Sequence, residues 1–181
     1  FNRGTGGVFA WYRLSAEIAC GRTFADFNEA AQEALKATNA ARSKDYNNVF
    51  NLDQVAALEW IRALRDASIS DVRSLAAYRA WFEEKAKGFW PATMAGVCRL
   101  AARTKVLESF ALEVSIKAYE AIEKNRENAE SRVESYQILA RAVLPASIAE
   151  ARNYFERAVE MSNRIGQENL ARWGALICLA E

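Results

Sequence analysis

Two sets of carboxylates stand at helical spacing in this chain: Asp26, Glu29 and Glu33, and further on Glu120, Glu123 and Glu127. Inward-facing acids on packed helices are what a di-iron centre uses, but that centre also needs Glu-x-x-His pairs, and the sequence contains no histidine. The same absence removes Ser-His-Asp and Cys-His nucleophiles, H-E-x-x-H zinc sites and the commonest general base. The acids interleave with Lys117, Lys124 and Arg126, the mixture of signs expected of a solvated helix face. The glycine-rich stretch RGTGG at residues 3–7 has neither the Gly-Lys-Ser/Thr ending nor the preceding strand of a phosphate loop, so residues 1–7 read as a flexible lead-in. No catalytic residue, metal ligand or cofactor-binding residue is assigned; the expectation is a chain that is not an enzyme and uses no cofactor.

Cys20, Cys98 and Cys178 are widely separated and form no C-x-x-C pair, which argues against a disulfide framework or a zinc knuckle. Each sits among apolar neighbours and is expected to be a small buried hydrophobe, in a reducing, cytoplasmic setting. Lys and Arg number 24 against 23 acidic residues, so no overall basic excess points to nucleic acid or an anionic membrane. No apolar run approaches the ~20 residues of a membrane span, and FNRGTGGVFA lacks the layout of a signal peptide. The aromatic group Trp81, Phe82, Phe89 and Trp90 could form a peptide-docking surface. Its place at a turn before Pro91 argues instead for a core staple between adjacent helical hairpins.

Whatever these side chains do, helices must position them. Only two prolines and eight glycines interrupt a chain rich in Ala, Glu, Arg and Leu, which is an all-α composition. Apolar residues recur at three- and four-residue spacing, and this periodicity predicts nine helices, near 8–20, 24–42, 52–67, 71–87, 91–104, 107–125, 130–144, 147–165 and 168–181. Asn51 or Asp53 can cap the third, Ser70 and Asp71 the fourth, and Ser147 with Glu150 forms a capping box for the eighth. Pro91 suits a first turn, and Gly21, Gly88 and Gly166 suit helix stops.

The odd-numbered helices share one spacing: Trp11, Leu14, Ile18; Ala57, Trp60, Leu64; Met94, Val97, Ala101; Tyr136, Leu139, Val143; Trp173, Leu176, Ala180. The even-numbered helices offer a matching ridge, clearest in Ala151, Phe155 and Ala158 and weaker in Ala31, Leu35, Thr38 and Ala111, Ser115, Ala118. Helix pairs repeating in this way are the signature of an α-solenoid. The stretch YQILARAVLPASIAEARNYFERA, residues 136–158, resembles a tetratricopeptide repeat, and WYRLSAEI at residues 11–18 looks like another first helix of that family. HEAT-like and other helical-hairpin repeats share the architecture. The resemblance implies a right-handed α-α superhelix of about four and a half hairpins over residues 8–181. The ninth helix, carrying Trp173, Leu176 and Ile177, would then need a cover, so the chain is expected to be part of a longer one or to be capped there by further repeats or another subunit.

Tetratricopeptide-like arrays line their concave groove with first-helix residues five, eight and nine places after the large leading residue. Counting from Ala57, Met94 and Tyr136 puts Arg62, Arg99 and Arg141 at the first of those places, with Arg65 and Arg103 at the later ones. Second helices carry acids, among them Glu83, Glu84, Glu108, Glu113, Glu120 and Glu123. A locally basic groove follows, whose fork-shaped guanidinium groups suit an acidic peptide segment or a carboxy-terminus rather than a nucleic-acid backbone. The implied function is a non-catalytic protein-interaction or ligand-sensing module. Two alternatives stand beside it: an RNA-binding helical repeat, and a regulatory domain similar to the helical sensor arrays that follow the ATPase module of bacterial signal-transduction (STAND) ATPases, including antiviral defence proteins.

Overall fold

A computed structural model describes residues 6–21, 27–42, 52–68, 72–124 and 128–165, and these residues are helical with short connections. Eight α-helices follow one another: α1 (Gly6–Ala19), α2 (Phe27–Arg42), α3 (Leu52–Asp66), α4 (Val72–Lys85), α5 (Pro91–Ala101), α6 (Glu108–Lys124), α7 (Ala129–Val143) and α8 (Ile148–Ser162). Single 3-10 turns at Ala86–Gly88 and Lys105–Leu107 end α4 and lead into α6. All eight coincide with helices read from the periodicity, while the expected ninth, 168–181, lies outside the described residues, as do Asn51, Ser70, Asp71 and Gly166.

Local chemistry accounts for the edges. Pro91 occupies the first turn of α5, where its missing N–H costs nothing. Ser147 Oγ accepts from the backbone N–H of Glu150 at 3.2 Å, and Asn128 Oδ1 accepts from Ser131 N–H at 2.8 Å, so side chains satisfy otherwise orphaned donors. Gly21 ends α1 at φ +77°, its N–H donating to Ile18 O, a left-handed stop that a Cβ would strain. Asp53, expected as a candidate cap, instead lies buried within α3 one residue past its start, so its side chain faces the core side.

The chain divides into two compact units, Phe1–Phe89 and Trp90–Glu181. In the first, α1 and α2 form a hairpin, α3 packs on both, and α4 packs on α2 and α3. Its centre is aromatic. Trp60 lies 5.8 Å from Trp11, 5.4 Å from Tyr78 in an edge-on contact and 5.5 Å from Trp81, and Phe82 meets Phe89 edge-on at 5.6 Å. Polar atoms drawn into this core are mostly satisfied: the Trp11 indole donates to Thr38 Oγ1, which donates to Ala34 O, and the Tyr78 hydroxyl donates to Ala57 O. The Trp60 indole N–H has no acceptor among the described residues.

In the second unit α5 pairs with α6, α7 pairs with α8, and α7 also lies against α5 and α6. The repeated spacing accounts for this packing. Met94, Val97 and Ala101 on α5 and Tyr136, Leu139 and Val143 on α7 are buried against ridges of Ala111, Ser115, Ala118 on α6 and Ala151, Phe155, Ala158 on α8. Small residues between large ones let the helix axes approach and the large side chains interlock.

Two sequence expectations are corrected. Cys98 is buried, and burial pushes its thiol up to about 12, but Cys20 is exposed because it lies in the turn past the last residue of α1. Of the aromatic group before Pro91, Phe82 and Phe89 are core, whereas Trp90 is 62% exposed. Trp90 is the N-cap of α5, where extended backbone turns its side chain off the helix while its carbonyl accepts from Thr93 and Met94.

Candidate functional site

The five arginines singled out by the repeat register fall in both units. Arg62 and Arg65 belong to α3, whose other face is buried, and both are already engaged. Arg62 Nη1 donates to Glu59 Oε1 at 2.8 Å and Oε2 at 3.1 Å, while Arg65 meets Asp66 at 2.6 Å. Glu59 is itself almost covered; burial raises its pKa, and the charge and hydrogen bond of Arg62 only partly offset that. In the second unit Ala92 and Arg99 are exposed on α5 and Arg103 in the turn that follows it, and Glu134, Ile138 and Arg141 are exposed along α7, which packs beside α5. The structure thus places Arg99 on α5, Arg103 in the turn after it and Arg141 on the neighbouring α7.

In the same unit, α6, α7 and α8 build a polar cluster around Glu123. Helical spacing supplies it: Tyr119 and Glu123 are four apart on α6, Arg132 and Tyr136 four apart on α7, and Arg157 and Glu160 three apart on α8. Glu123 Oε1 accepts from the Tyr136 hydroxyl at 2.5 Å and from Arg157 Nε at 3.0 Å, and Oε2 accepts from Arg132 Nη2 at 2.9 Å. Arg157 also donates from Nη1 to Glu160 at 2.8 Å. One carboxylate therefore ties three helices together.

Burial acts to raise the Glu123 pKa, but the bonds from Tyr136 and Arg157 and the charges of Arg157 and Arg132 outweigh it and bring it down to about 2. The bonds to Glu123 and Glu160 push Arg157 above its ordinary value. Tyr136 is raised by burial and by the Glu123 bond, Tyr119 by burial and by the Glu123 charge, and Tyr154 by burial. Each shift holds its group in one protonation state across the neutral range.

Beside this cluster a groove of about 370 Å³ runs between α6 and α8. Tyr119 and Tyr154 form part of its lining and are stacked at 5.6 Å with 21° between their planes. The Tyr154 hydroxyl lies 3.1 Å from Ser115 Oγ, which also donates to Leu112 O. The sequence spacing puts Glu123 among solvated acids and marks no groove here, because nothing local signals either feature. Among the described residues no group of acids or cysteines is placed to hold a metal ion, and no helix is long and apolar enough to cross a membrane. No protein-family model, curated protein or solved structure matches this chain.

Proposed function

We propose that this chain is a non-catalytic helical-repeat interaction module of the tetratricopeptide-like kind, whose first helices hold a carboxylate-bearing segment of a partner protein. The observation that carries this reading is the pair α5 and α7. They lie side by side, bury the repeat positions Met94, Val97, Tyr136 and Leu139, and, with the turn that follows α5, leave Arg99, Arg103 and Arg141 exposed. An exposed side on successive first helices is the surface with which stacked helical hairpins engage extended ligands. Arginine supplies two-point recognition of carboxylates there. Arg62 and Arg65 would take part only by exchanging Glu59 and Asp66 for a partner's carboxylate.

The test is calorimetric titration of the chain with a glutamate-rich heptapeptide bearing a free carboxy-terminus, at two salt concentrations. Binding that weakens with salt, and about tenfold or more in the triple variant Arg99→Gln, Arg103→Gln, Arg141→Gln, is expected. Unchanged affinity in that variant would remove the first-helix surface as the site.

A further inference from the structure

We propose that the groove between α6 and α8 is a second docking site, which takes the guanidinium group of an arginine presented by a partner polypeptide. The reading is independent of the first-helix surface, since it uses other side chains and the opposite charge. Tyr119, partly exposed and stacked on the buried ring of Tyr154, gives the groove aromatic surface, and Ile116, 52% exposed, gives it an apolar wall. The α8 side contributes Glu150, Glu156 and Glu160 against a single cation, Arg157, so the lining carries three negative charges and one positive. That cation is already committed: its Nε donates to Glu123 and its Nη1 to Glu160. An anion would face these glutamates with no uncommitted cation in the lining to receive it. Among the described residues Glu156 is held by the exposed Arg152, an ion pair that an incoming guanidinium can replace at little cost.

An arginine fits this combination better than a lysine. The guanidinium plane is weakly hydrated, stacks on aromatic faces and forks to two carboxylates, whereas an ammonium is a compact and strongly hydrated charge. The volume of about 370 Å³ holds one long side chain with part of its flanking backbone, and Ile116 offers contact to an apolar neighbour of that arginine.

The experiment is an NMR titration of the isotope-labelled full chain with the peptide acetyl-Ala-Leu-Arg-Leu-Ala-amide and with the same peptide carrying citrulline, the neutral isostere of arginine. Shifts centred on Ile116, Tyr119, Asn153 and Tyr154 are expected, with the citrulline peptide bound about fivefold more weakly or worse. The double variant Glu150→Gln, Glu156→Gln, which leaves the Glu123 cluster intact, is expected to lose about three- to fivefold for the arginine peptide alone. The triple arginine variant of α5 and α7 is expected to bind as the parent does, which separates this site from the first-helix surface. Equal affinity for the two peptides, an unaffected double variant, shifts confined to other residues, or no shifts at about 5 mM peptide would each overturn the proposal.

Discussion

Glu123 shows how much one side chain can carry. Its pKa is held below the ordinary carboxylate value of 4.5, so the folded chain favours the ionised form. The resulting stabilisation is complete above pH 4.5 and is lost as pH falls through about 2. Replacing Glu123 by Gln keeps the shape but removes the charge facing Arg132 and Arg157, and should cost about 1–3 kcal/mol near pH 7. Because the side chain is 29% exposed, the lower half of that range is expected. Denaturant titrations of parent and variant should converge as the pH is lowered from 4.5 toward 2; a difference independent of pH would mean that packing, not charge, sets the cost. Phe155 tests the apolar side of the same unit. At 8% exposure against the face of α7, Phe155→Ala should cost about 3 kcal/mol through lost burial and a cavity, and a loss below about 1 kcal/mol would place the ring outside the core.

Helix ends respond to smaller forces. Ser147→Ala and Asn128→Ala should each lower stability by about 1 kcal/mol, measured as a shift in denaturation midpoint, since each leaves one backbone donor of α8 or α7 without its acceptor. Gly21→Ala should cost about 1–2 kcal/mol for the left-handed backbone alone, because no described residue lies within 4 Å of the added carbon. The helices and their packing faces were legible in the sequence because they depend on residue size at three- and four-residue spacing. Even the weaker ridges Ala31, Leu35, Thr38 and Ala111, Ser115, Ala118 are buried. Their polar members fit because Thr38 and Ser115 donate to carbonyls of their own helix, Ala34 O and Leu112 O, so a hydroxyl there behaves as a small side chain. The Glu123 cluster was not legible for the opposite reason. Its partners Arg132, Tyr136 and Arg157 lie 9, 13 and 34 residues away, distances at which no helical period operates. The groove depends likewise on Tyr119 and Tyr154 meeting across two helices.

At the scale of the whole molecule, each unit has its own core, centred on Trp60 in one and on the interlocked faces of α5 to α8 in the other. In helical-repeat proteins stability is carried largely by nearest neighbours. A lesion such as Phe155→Ala should therefore reduce hydrogen-exchange protection in α5 to α8 more than in α1 to α4, and an equal loss throughout would show that the chain opens as one cooperative body. The aromatic residues make such a comparison possible by optical means. Indole pairs in contact, Trp11 with Trp60 and Trp60 with Trp81, lie in the first unit, while the second holds the phenol stack of Tyr119, Tyr136 and Tyr154. Indoles this close couple as excitons, so the near-ultraviolet ellipticity of the chain should be dominated by α1 to α4. Phenol absorption samples both units, since Tyr78 is hydrogen-bonded in the first and Tyr136 and Tyr154 in the second. Heating one unlabelled sample while recording both bands would thus set the loss of the indole core of α1 to α4 against the melting of the chain as a whole.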